Sequence, residues 1–85
     1  MNRTNANKLM ADLGKEMNHA SFTDNIYLSI RNVGTRVFKN CKFESLEGWM
    51  FIWTRDDSFC VKEKDLGDFL VIDTDSPVLV GLKKV

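Results

Sequence analysis

The sequence predicts a mainly β domain with one N-terminal helix, folded as a small, strongly bent antiparallel sheet or barrel of five to six strands. Three observations carry this. Helical apolar spacing occurs only near the N-terminus. From Ile26 onward the apolar residues fall in short blocks, several of them alternating with polar ones. Each block ends at a turn signal such as Asn32-Val33-Gly34, Glu47-Gly48 or Asp56-Asp57-Ser58. The chain reads as one domain, residues 1–85, with the helix at about 4–18 and the strands at about 26–84.

In the helix, Leu9, Met10, Leu13 and Met17 share one face, and Thr4 or Asn5 is the expected cap. Gly14 either ends the helix in a left-handed conformation or sits inside it at a cost of about 1 kcal/mol. The opposite face has too few cations for a lipid surface, so packing on the sheet is expected. Asn18–Asn25 is a polar linker without a period. Ile26, Leu28 and Ile30 then make a half-buried strand, and Gly34 allows the turn into a second strand through Val37, Cys41 and Phe43.

After the turn at Ser45–Gly48, Trp49–Trp53 (WMFIW) is apolar on both faces. Either both are covered or one is a binding surface. Phe59-Cys60-Val61 returns as a fourth strand, and Asp65–Asp68 makes a helical turn or corner. Phe69–Ile72 is a fifth strand, Asp73–Pro77 a turn, and Val78, Val80 and Leu82 alternate in a sixth. Many short strands with short turns fit a barrel of the Sm or SH3 type.

Composition excludes several functions. Aromatic content is high, with two Trp, six Phe and one Tyr, and the chain reads as folded. A domain this small buries only roughly 60–65% of its unfolded surface, which makes oligomerisation a natural source of further burial. Net charge is zero, against a strongly electrostatic nucleic-acid binder. Residues 1–42 carry seven Lys/Arg against three Asp/Glu, and residues 43–85 carry five against nine. The longest apolar run is five residues, far short of a membrane span. The N-terminus MNRTNANKLM lacks the apolar core of a signal peptide, so a cytoplasmic protein with Cys41 and Cys60 reduced and buried is expected.

No catalytic constellation emerges. His19 is alone in a polar linker, without a nucleophile or an orienting partner proposed nearby. Asp73-x-Asp75 and Asp65-x-x-Asp68 offer fragments of a cation site and read as turn and cap residues. A non-enzymatic protein without metal or cofactor is expected.

From Glu44 onward the pattern resembles the Sm-like family, in particular its Hfq-like bacterial RNA-chaperone branch. That family has a short helix, a strand with I-Y-L, then E-S-F-D-x-F, an apolar strand, a polar turn, a short strand and a Y-K-H-A-I corner. The counterparts are Ile26-Tyr27-Leu28, Glu44-Ser45-Leu46-Glu47-Gly48-Trp49, Met50–Trp53 and the corner Lys62–Leu66. Between Glu44 and about Leu70 the match needs no gap.

The resemblance implies an oligomer, a ring or a dimer, that binds RNA or single-stranded nucleic acid through Trp49, Lys62, Lys64 and Lys15. Trp49 would stack on a base, a contact worth roughly 1–3 kcal/mol; alternatively it simply begins a core strand. The sequence departs from the family where the K-H dipeptide falls on Glu63-Lys64 and where the Gly of the second strand falls on Asn40. The family's helix Gln falls on Ala6, and the first of its rim arginines on Gly14. A pore lined by Glu63 would repel phosphate. The alternative function is a protein-interaction module, a homodimer or a small accessory or phage-type protein docking on a host protein, which the zero charge and the aromatic excess favour.

Overall fold

The computed structural model describes residues 1–72 in full and the backbone of the strand Leu79–Lys84. The expected turn at Asp73–Pro77, with Asp73 and Asp75, lies outside the described residues. The elements are a helix α1 (Arg3–Gly14), strands β1 (Asp24–Ile30), β2 (Gly34–Leu46), β3 (Trp49–Trp53), β4 (Ser58–Lys62), β5 (Leu66–Ile72) and β6 (Leu79–Lys84). All strand pairs are antiparallel, in the order β4-β3-β2-β1-β5-β6. The mainly β architecture with an N-terminal helix is therefore as expected, as a bent sheet whose two edges are β4 and β6.

The bend is built into β2. Its first part pairs with β1 and its last five residues, Lys42–Leu46, pair with β3. Between them Asn40 has φ +52°, and a register shift sets Asp24 opposite Cys41 but Ile26 opposite Phe38. An extra residue in one strand kinks it and increases its twist. Asn tolerates the left-handed region better than most side chains. Glu47 and Gly48, both at positive φ, make the tight β2–β3 hairpin that the strand twist favours.

Because β3 is central to this half of the sheet, its side chains alternate between two cores. Met50 and Ile52 join Ile26, Leu28, Cys41, Val61 and Phe69 on one side. Trp49, Phe51 and Trp53 pack on the other side with Ala6, Phe22 and Cys60, against Leu9, Met10, Leu13 and Met17. Both faces of WMFIW are thus covered. Leu9, Met10 and Leu13 pack where their spacing predicts, but the helix ends at Gly14 and not near residue 18, so Met17 packs from the turn that follows it.

Three local expectations are corrected. Asn2 caps the helix instead of Thr4 or Asn5, its Oδ1 accepting from the Asn5 N–H at 2.8 Å. Gly14 is the last helical residue, but Lys15 after it stays right-handed, so no left-handed cap forms. Its surroundings are tight: a Cβ there would lie 3.2 Å from Cδ1 and Nε1 of Trp53, which would have to give by a few tenths of an ångström. The linker holds a single 3-10 turn, His19–Ser21, capped by Asn18, and the second 3-10 turn forms at Glu63–Asp65, just ahead of the expected corner.

Candidate binding site

Trp49 follows the Glu47-Gly48 turn and lies opposite Lys62 across the β3–β4 hairpin. Its side chain points toward the helix side and is 2% exposed. The indole N–H donates to the Met1 carbonyl at 3.1 Å. Two cations sit over the ring, the Arg3 guanidinium 4.8 Å and the Lys62 ammonium 5.8 Å from its centroid. A base therefore finds no open stacking platform at Trp49 while the helix N-terminus is docked. This arrangement corresponds to the core-strand alternative.

Three of the four sequence-derived site residues nevertheless converge. Trp49, Lys62 and Lys64 line one shallow groove with Met1, Glu47 and Glu63. Two acids offset the two lysines, so the groove is zwitterionic. Lys15 lies apart, at the other end of β3 beside Trp53 and Arg55.

The feature that sequence reasoning missed is the β4 edge. In an antiparallel pair, hydrogen-bonded and non-bonded residue pairs alternate. Glu63 N–H donates to Gly48 O at 2.9 Å and Thr54 N–H donates to Asp57 O at 2.8 Å, which fixes the phase of the β3–β4 ladder. Ser58, Cys60 and Lys62 then face Trp53, Phe51 and Trp49 in non-bonded pairs. Their backbone N–H and C=O groups point outward, away from β3. Among the described residues β4 pairs with no other strand.

A groove runs beside this edge. Arg3, Asn7 and Met10 of α1 form one wall, and Ile30 at the end of β1 with Arg31 and Val33 of the β1–β2 turn form the other. Val33 is 61% exposed. One edge acceptor is occupied: Arg3 Nη1 donates to Cys60 O at 2.6 Å and contacts Cys60 Sγ at 3.3 Å. Cys60 Sγ also lies 3.3 Å from Asn7 Oδ1, to which it donates. A strand edge is a template for pairing, and a cation placed on it moderates that pairing.

Neither cysteine is poised for chemistry. Burial raises the Cys60 thiol above its ordinary value, and the Arg3 charge and hydrogen bond only partly offset this. Burial raises Cys41 to about 11, with the Asp24 charge adding to the effect. Both thiols are free, and they sit in the two different cores, on opposite sides of the sheet. Among the described residues no group of three His, Cys, Asp or Glu is placed to hold a metal ion. No described helix is long and apolar enough to cross a membrane. No protein-family model, curated protein or solved structure matches the chain.

Proposed function

We propose that this chain is a small non-enzymatic interaction module whose main contact is an extended protein segment added to β4, supplied in the first instance by the β6 edge of a neighbouring copy. The observation that carries this reading is the unpaired β4 edge, with outward backbone groups at Ser58, Cys60 and Lys62. Main-chain hydrogen bonds supply the affinity in strand addition, and side-chain grooves supply the selectivity. The apolar contributions of Ile30, Val33 and Met10 beside the edge suit such a partner. A β4-to-β6 contact is head-to-tail, and repeated it closes a ring or extends a filament.

A second reading, the Sm-like oligomer that binds single-stranded nucleic acid, is favoured by two observations. Asn40 takes positive φ where the resembled family has Gly in its second strand. Lys62 and Lys64 flank Trp49 in one groove. The two readings separate in one experiment, solution mass by light scattering with the absorbance ratio at 260 and 280 nm. Assembly free of nucleic acid supports the first, and a nucleic-acid-loaded oligomer supports the second. A monomer at every concentration, with no protein partner captured, contradicts both.

A further inference from the structure

At the Trp53 end of β3 a cavity of about 510 Å³ opens between three elements that the sequence keeps far apart. The 3-10 turn supplies His19 and Phe22, the β2 bulge supplies Lys39 and Asn40, and the β3–β4 turn supplies Arg55 and Asp56. It shares no residue with either groove described above, so it stands independently of the assembly reading.

Each wall is held in place by local bonds. Asn18 Oδ1 accepts from Ala20 N–H at 3.0 Å, and the His19 ring meets Phe22 edge-on, 4.9 Å between centroids at 65°. The Asn40 N–H donates to Asn25 Oδ1 at 3.3 Å, which fixes the bulge. In the β3–β4 turn, Asp57 spends its groups on the turn itself. Its carbonyl accepts from Thr54 N–H at 2.8 Å, and its carboxylate accepts from Ser58 N–H at 2.8 Å. Among the described residues Asp56 is the one acid lining the cavity, beside the exposed cations Lys39 and Arg55 and the imidazole of His19.

We infer that this cavity binds an organic phosphate of about mononucleotide size. Its volume lies within the ordinary range for small-molecule sites, roughly 300–1,000 Å³. Two cations from different elements can grip one phosphate, and charge-assisted bonds from Arg are among the strongest a protein offers. The exposed His19 imidazole, held by Phe22, gives a flat aromatic surface for a planar group carried on that phosphate.

The test is a titration of the full chain with uridine monophosphate, followed by amide and His19 imidazole chemical shifts. Saturable shifts at His19, Asn40 and Arg55 are expected for the monophosphate. Uridine at the same concentrations should leave them unmoved, and inorganic phosphate should compete. Arg55→Ala and Lys39→Ala, both at the solvent-facing rim, should each weaken binding about tenfold without lowering the melting temperature. A phosphorylated oligonucleotide that binds at the same residues, competitively with the monophosphate, places the phosphate on a strand end rather than on a free nucleotide. The inference is overturned if the monophosphate produces no shifts up to about 10 mM, a concentration that would reveal even a millimolar site. Equal shifts from uridine and its monophosphate, or unchanged affinity in both variants, overturn it as well.

Discussion

Trp49 and Trp53 begin and end the same strand, face the same side and are nearly equally buried, at 2% and 4% exposure. Each indole N–H donates to a backbone carbonyl of the N-terminal segment, Met1 for Trp49 and Met10 for Trp53. Their covers differ. Trp53 is clamped by the body of the helix, with Gly14 so near that a Cβ would lie 3.2 Å from its ring, and stacks on Phe51 at 6.0 Å and 25°. Trp49 is covered by the first residue of the chain and by two cations. Met1 and Arg3 lie just ahead of and in the first turn of α1, and the first turn of a helix opens at less cost than its packed middle. The first tryptophan is a latch and the second an anchor. Burial alone does not distinguish them; the identity of the covering residues does.

The largest effect expected from this difference is on stability. Trp53→Ala should cost about 3–5 kcal/mol, a large share of the margin of a domain this size, and Trp49→Ala about 2–3 kcal/mol. Denaturant melts of the two variants check the order, and equal losses would erase the distinction.

A smaller effect is expected at the latch. Arg3→Ala removes the contact to the Cys60 carbonyl and the cation over Trp49, costing about 1 kcal/mol. In that variant Trp49 fluorescence, read in a Trp53→Phe background, should become accessible to acrylamide. Trp53, read in a Trp49→Phe background, should stay shielded with or without Arg3.

How far the sequence announced these features depends on the range of the interactions. The helix face Leu9, Met10 and Leu13 was legible because its signal is a local period, which ran on to Met17 beyond the true helix end at Gly14. The two apolar faces of WMFIW and the turns at Gly34 and Gly48 were legible from local pattern too, but that both faces are covered was not. Trp49 and Lys62 were grouped by the resemblance, and the hairpin with its short turn sets them opposite each other. Lys15 could not be placed relative to them, since helix docking on the sheet carries no local signature. The covering of Trp49 by Met1 and Arg3 spans more than forty residues of sequence. The open edge at β4 was equally hidden, because strand order is decided by pairing between distant segments. Asn40 was partly readable: a residue type that tolerates positive φ stood where the resembled pattern has Gly.

The smallest effect concerns pH. Cys41 keeps its proton to about pH 11 in the fold, above the ordinary thiol value of 9.0. The native state therefore holds a proton that the unfolded chain releases first. That contribution to stability is complete below about pH 9 and is lost as pH rises toward 11. Unfolding curves across this window should show a falling midpoint, and Cys41→Ala should flatten the slope even though it lowers stability throughout.

The β4 edge is the centre of the account, and Lys62 offers a direct test of it. Its φ of −66° is already the value proline requires, and its N–H points away from β3. Lys62→Pro thus removes an edge donor without breaking a bond inside the sheet, while Lys62→Ala removes the charge and keeps the donor. Light scattering on the wild type and both variants should give an assembled wild type, an assembled alanine variant and a folded, monomeric proline variant. A proline variant that assembles as the wild type does would contradict strand addition at β4, and loss of assembly in the alanine variant would assign the contact to the lysine charge instead.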